Sequence, residues 1–112
     1  MEQLEKIAYL RNKLLPDNPT DEELTALLYI TKGAILNARY PFGYKEDMEV
    51  PKRYEHIQLQ ACVILYNKAG AEGQTAHKEN GIDRTYEAGD IPNSLLKRIV
   101  PMAGSVVENE ES

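Results

Sequence analysis

Thr20-Asp-Glu-Glu-Leu-Thr-Ala-Leu-Leu-Tyr-Ile-Thr-Lys-Gly-Ala-Ile-Leu-Asn-Ala-Arg39 decides the fold class. Thr20 followed by Glu23 spells a capping box, in which each side chain accepts a backbone N–H that the first helical turn leaves unpaired. Asp21, Glu22 and Glu23 complement the positive end of the helix dipole. Behind them Leu24, Leu27, Leu28, Thr31, Ala34, Ile35 and Ala38 recur at three- and four-residue steps, and Tyr29, Ile30 and Leu36 widen the stripe. The spacing predicts an amphipathic helix from Thr20 to about Asn37 or Arg39.

Working outward, Leu4, Ile7, Ala8, Leu14 and Leu15 give the stretch from Glu2 to Leu15 a helical stripe of its own. Pro16 ends it, and Asp17-Asn-Pro19 is turn chemistry. On the other side Tyr40-Pro-Phe-Gly-Tyr44 breaks the pattern, because Pro41 restricts its predecessor and Gly43 loosens the chain, so 40–51 reads as a loop. A third helix, about Lys52 to Ala69, carries Tyr54, Ile57, Ala61, Ile64, Leu65 and Lys68 on one stripe and Leu59, Cys62, Val63 and Tyr66 on another. Two apolar faces imply a central helix, and Gly70 stands where a C′ residue would end it. A short fourth helix starts near Pro92 after Asp90 as a cap, with Leu95, Leu96, Ile99 and Val100 as its contact face and Pro101 closing it.

The expected architecture is all-α: a small bundle of about four helices, with a β-hairpin or extended loop between helices three and four over about 70–90. Residues 1–102 read as a single helical domain. Residues 103–112 carry Glu108, Glu110 and Glu111 with little apolar content, and are expected to be a flexible acidic tail. No internal repeat is visible.

At 112 residues the chain is the size of one ordinary domain. It holds no long apolar run and no secretory apolar core in Met1-Glu-Gln-Leu-Glu-Lys-Ile-Ala-Tyr-Leu-Arg-Asn-Lys13, so neither a membrane partner nor export is expected. The lone cysteine, Cys62, sits in the apolar run 61–66 and reads as a buried, inert thiol in a reducing compartment. A net charge of −5 with scattered basic residues argues against holding nucleic acid through its phosphates. The acidic balance suits solubility, or a path along which DNA slides without sticking.

Between Gly70 and Asp90 lie about twenty residues without a helical stripe, longer than compact domains usually spend on a connector. Asn80-Gly81 supplies the positive-φ pair of a type I′ turn. With the tip there, Lys78 faces Asp83, Ala76 faces Thr85 and Thr75 faces Tyr86, which puts an opposite-charge pair across the strands. A lone hairpin is marginal in water and needs a neighbour, either the chain's own helices or another subunit.

His77, Glu79, Glu72, Asp83 and Asp90 are close in sequence but match no metal-ligand spacing. His56 has no Ser or Cys nucleophile beside it in any readable motif, and Gly70 and Gly73 belong to neither a P-loop nor a dinucleotide fingerprint. No catalytic residue, metal site or cofactor is expected, and the chain reads as a non-enzyme.

The pieces Glu72-Gly-Gln-Thr75, Glu79-Asn-Gly-Ile82 and Arg84-Thr-Tyr-Glu87, followed by Asp90-Ile-Pro-Asn-Ser-Leu-Leu96 and Ile99-Val-Pro101, resemble the small head-to-tail connector (neck adaptor) proteins of tailed bacteriophages and prophages. The specific likeness spans about Leu65 to Pro101, and the helical layout extends it over nearly the whole chain. The resemblance implies a helical structural protein that forms a ring beneath the portal, extends the DNA channel and offers a platform to neck or tail proteins. It implies as partners the portal protein, other copies of the chain, downstream neck or tail-completion proteins, and double-stranded DNA passing without specific binding. It places the protein at the virion neck, and in the bacterial host cytoplasm during assembly.

Within that picture the candidate subunit or partner contacts are Gly73, Gln74, Asn80, Gly81, Arg84, Tyr86 and Asp90. Asn80-Gly81 would form the tip, and Tyr86 a flat anchor of the kind enriched at interface hot spots. Glu46, Asp47 and Glu49, or Glu108, Glu110 and Glu111, are candidates to face a bore. The tail could order against the portal or an adjacent subunit. A second reading is a small helical regulator that binds a protein as a monomer or dimer.

Overall fold

Four α-helices and two 3-10 turns follow one another in a computed structural model that describes residues 1–77 and 86–102, the side chains of 71–77 excepted. They are α1 (Gln3–Lys13), α2 (Asp21–Arg39), a 3-10 turn (Lys52–Tyr54), α3 (Glu55–His77), a second 3-10 turn (Ala88–Asp90) and α4 (Asn93–Leu96). The fold is all-α, as the periodicity requires, and no strand occurs among the described residues.

The capping box of α2 forms as its residues predict: Glu23 N–H donates to Thr20 Oγ1 at 3.0 Å and Thr20 N–H to Glu23 Oε1 at 2.9 Å. Each satisfied end group spares the helix roughly 1 kcal/mol. Helix α1 begins on a similar reciprocal pair, Glu2 with Glu5. Arg11 organises the link between the two helices. Its guanidinium donates to the Pro19 carbonyl at 2.8 Å and pairs with Asp21 at the start of α2. From the other side Tyr66 Oη on α3 donates to Asp17 at 3.1 Å, so the turn is held from both directions.

Helix α3 is central, packing against α1, α2 and α4. Both of its predicted faces are buried, Tyr54, Ile57, Ala61 and Leu65 on one and Leu59, Cys62 and Tyr66 on the other, while Lys68 is exposed. From α2 the core takes Leu24, Leu27, Leu28 and Ile35, and from the C-terminal part Ile91, Leu95 and Ile99. Val50 and Tyr40 close the loop end, and Gly43 turns that loop at φ 130°, a left-handed value that favours glycine.

Several expectations are corrected. Gly70 does not end α3. The helix passes through Gly70 and Gly73 to His77, because Ala69, Ala71, Glu72, Gln74 and Ala76 are strong helix formers that offset the cost of about 1 kcal/mol for each glycine. Thr75 and Ala76, placed on the first strand of the expected hairpin, are therefore helical, and Thr85 lies outside the described residues. The tip Asn80-Gly81 and the Lys78–Asp83 pair lie outside the described residues. On α1 the inward stripe is Lys6, Ile7, Leu10 and Leu14, whereas Leu4 and Leu15 are 79% and 64% exposed and Ala8 is also exposed. On α4 Pro92 takes the cap position and Asp90 ends the preceding 3-10 turn. Val100 points outward.

Candidate assembly surface

The segment returning from α3 is fastened by apolar contacts before its polar residues can act. Ile91, Leu95 and Ile99 are buried, and Tyr86 is half-buried, its ring packed against the core cluster. Asp90, half-exposed, sits 3.6 Å from Lys68 Nζ, tying the second 3-10 turn to α3. Of the predicted contact residues, Tyr86 and Asp90 thus share one strap along the bundle. Gly73 and Gln74 lie in the last turns of α3. Asn80, Gly81 and Arg84 fall outside the described residues.

The strap ends in a clasp. Val100 N–H donates to Tyr54 Oη at 3.1 Å, Arg39 Nη1 donates to the Val100 carbonyl at 2.7 Å, and Met102 N–H donates to the Arg39 carbonyl at 2.7 Å. The Arg39 guanidinium carbon also stands 5.9 Å from the Tyr40 ring centroid and 5.7 Å from that of Tyr54. Both distances are within cation–π reach, which adds attraction to the hydrogen bonds. The end of α2, the start of α3 and the exit of the chain are therefore held together.

Exposed apolar side chains that sequence reading had assigned inward, or passed over, lie elsewhere. Leu4 on α1 is 79% exposed, Tyr29 on α2 78% and Phe42 in the 40–51 loop 67%. Only the neighbours distinguish them: Tyr29 adjoins the buried Leu28 but points off its stripe, and Leu4 lies off the stripe that Lys6 and Leu10 define. A depression of about 900 Å³ runs between α1, α2 and the end of the loop, lined by Gln3, Lys6, Thr25, Tyr29, Lys32 and Glu49 among others.

Beneath it is a buried polar chain. Lys6, 6% exposed, donates from Nζ to Gln58 Oε1 at 2.6 Å, and Gln58 Nε2 donates to the Leu28 carbonyl at 3.1 Å. Thr31 Oγ1 donates back to the Leu27 carbonyl at 2.8 Å and lies 3.5 Å from Cys62 Sγ. Burial pushes the Cys62 thiol up to about 11, against smaller lowering effects of the Thr31 hydroxyl and the Lys6 charge. A protonated, enclosed thiol is a poor nucleophile. Each member of this polar chain has a hydrogen-bonding partner within the fold. His56 is exposed on α3, and among the described residues no cluster of His, Cys, Asp and Glu could hold a metal ion. No described helix is long and apolar enough to cross a membrane.

The described residues form a small helical module held together by the strap and clasp. The family model of phage gp6-like head-tail connector proteins matches residues 8–102, and the chain belongs to that family. No curated protein and no solved structure matches it. The matched range starts within α1 and ends at Met102, so it takes in the whole strap and clasp. The protein is a structural connector of the phage head-tail junction.

Proposed function

We propose that the protein assembles with copies of itself as a ring beneath the portal, extends the DNA channel and carries the neck or tail-completion proteins that follow. The family match over residues 8–102 carries this reading. In a ring each subunit meets two neighbours through two different patches, because the contact is heterologous and closes only when the rotation fits. The exposed Leu4, Tyr29 and Phe42 supply apolar surface for such contacts. The end of α3 with Gly73 and Gln74, the connector with Asn80, Gly81 and Arg84, and the strap with Tyr86 and Asp90 form the candidate second patch. Glu46, Asp47 and Glu49, all exposed, are the candidates to face passing DNA and repel its phosphates. Residues 1–102 act as the connector domain and 103–112 as its acidic tail.

Light scattering and negative-stain imaging of the purified protein, alone and mixed with its portal, test the proposal. Rings in either sample support it, since the portal can supply the template that isolated subunits lack. A protein that stays monomeric or dimeric and ignores the portal overturns it and favours the regulator reading. Tyr86→Ala separates two roles: lost assembly with intact helicity makes Tyr86 a contact, whereas joint loss makes it a core residue.

A further inference from the structure

A groove of about 560 Å³ runs between α1 and the first turns of α3, with Tyr9, Leu59, Val63 and Ile64 in its walls and Lys13 and Lys52 at its rim. Leu59 is buried, Val63 and Ile64 are half-buried and Tyr9 is exposed, so an apolar floor stands open. Glu55, also in the wall, is already held by the Met1 amine at 3.0 and 3.2 Å and faces Lys6 at 3.9 Å. Lys13 and Lys52 have no ion-pair partner among the described residues. Lys13 Nζ stands 5.9 Å from the Tyr9 ring centroid, beside the floor. The groove is therefore complementary to an apolar group with negative charge next to it.

The 40–51 loop has that make-up. It contains two successive turns, one closed by Gly43 N–H on the Tyr40 carbonyl and one by Met48 N–H on the Lys45 carbonyl, both at 3.1 Å. The first turn carries Phe42, 67% exposed, and the second exposes Glu46 and Asp47. Neither acid has an ion-pair partner among the described residues. Tyr40 and Val50 are buried at the two ends of the loop, so Phe42 is presented from an anchored base and little ordering cost falls on a contact it makes. No residue of the loop lines the groove of its own chain. Loop and groove are thus both open, and a second copy of the chain can join them.

We propose that Phe42 of one subunit seats in the α1–α3 groove of the next, with Glu46 and Asp47 turned toward that neighbour's Lys13 and Lys52. This junction rests on the ring reading and gives it a contact: loop and groove are different patches, so the interface is heterologous and repeats from subunit to subunit. A Phe side chain brings roughly 150–250 Å² of surface to bury, and an aromatic centre inside a charged rim is the usual anatomy of a specific interface. Glu49 remains as the loop acid available to face DNA.

Two variants, each keeping one half of the junction, test it. Phe42→Asp keeps the groove and Lys13→Glu/Lys52→Glu keeps the loop, and all three replaced side chains are exposed, so helicity should be retained in both. Neither variant should form rings alone, with or without the portal. Titrating unlabelled Lys13→Glu/Lys52→Glu into isotope-labelled Phe42→Asp should give pairs and nothing larger, with resonance shifts at Tyr9, Val63 and Ile64 and none at Ala26 on the exposed side of α2. Unlabelled Phe42→Asp added to the same labelled protein should bind more than about tenfold more weakly, as loss of a hot-spot aromatic implies. Lys13→Glu/Lys52→Glu/Glu46→Lys/Asp47→Lys, with the charges exchanged, should assemble again. Absence of the mixed pair at millimolar concentration, or shifts that map away from the groove, overturns the proposal. Rings formed by the native chain and by both variants overturn it while leaving the ring reading intact. A native chain that never forms rings while the mixed pair forms overturns the ring reading and keeps the contact.

Discussion

Gln58→Leu should destabilise the protein far more than its size change suggests, and Lys6→Met should reverse most of that loss. In the native protein Lys6 is 6% exposed and Gln58 2%, and the 2.6 Å hydrogen bond between them is the closest polar contact the ammonium makes. Replacing Gln58 by Leu leaves that charge buried with only Glu55 at 3.9 Å to answer it. A hydrogen bond to a charged group contributes about 1.5–3 kcal/mol, and an orphaned buried partner adds its own desolvation cost, so a loss of about 3 kcal/mol follows. The Leu28 carbonyl loses Gln58 as well but keeps the Thr31 hydroxyl at 3.2 Å. Lys6→Met alone strands Gln58 Oε1 at about 1–2 kcal/mol. The double variant removes both groups and keeps the volume apolar, so it should lie within about 1 kcal/mol of the native protein. Urea and thermal unfolding followed by circular dichroism read the whole cycle. The Gln58→Leu midpoint should fall by roughly 10–15 °C, with a coupling energy of about 3–5 kcal/mol. If the two single effects simply add, the buried chain is not a unit and the reasoning fails.

Thr20→Ala removes one arm of the α2 capping box and should cost about 1 kcal/mol in urea unfolding, with Thr20→Ser restoring most of it. Gly33 lies inside α2, and a Cβ built on it meets nothing within 4 Å. Gly33→Ala should therefore raise stability by about 0.8–1 kcal/mol, and a loss would mean that the helix is strained there. Tyr29→Asp should leave the melting temperature within about 2 °C, given the 78% exposure of the side chain, yet impair assembly with the portal in the light-scattering assay. The Cys62 thiol ionises near 9.0 when exposed and at about 11 in the fold. Between those values the unfolded chain binds fewer protons than the native one, so stability should fall as pH rises from about 9 to 11. Cys62→Ala should show a shallower fall over the same range, by about 3 kcal/mol at most.

The sequence discloses α2 almost completely because every local signal agrees there. The cap, the acidic first turn and the stripe through Leu24, Leu28, Thr31 and Ile35 all point to one helix, which runs from Asp21 to Arg39. The two-faced apolar pattern of α3 likewise discloses its central place. The candidate site is less legible. Its Gly73 and Gln74 fall in a stretch read as a connector with Gly70 as the helix stop, yet α3 continues through both positions. Each glycine is a breaker only relative to its neighbours, and alanines on either side of Gly70 outweigh it.

Helix α1 shows why the outward surface was harder to read than the core. Judged by hydropathy, Leu4 and Ala8 belong inside and Lys6 outside, and the structure reverses both. The reversal depends on Gln58, which lies 52 residues from Lys6 in the sequence and gives its ammonium a buried acceptor. With that partner, the long methylene stem of Lys6 can be buried as an apolar side chain would be. Once Lys6 turns inward, Leu10 and Leu14 follow at four-residue steps and Leu4 is carried to the solvent side. That long-range hydrogen bond lets Lys6 share the inward side of α1 with Leu10 and Leu14, while Leu4 remains exposed. The same logic makes Lys6→Met/Gln58→Leu a test of surface as well as stability: the apolar replacements favour the same inward stripe, so Leu4 should stay exposed and assembly should survive.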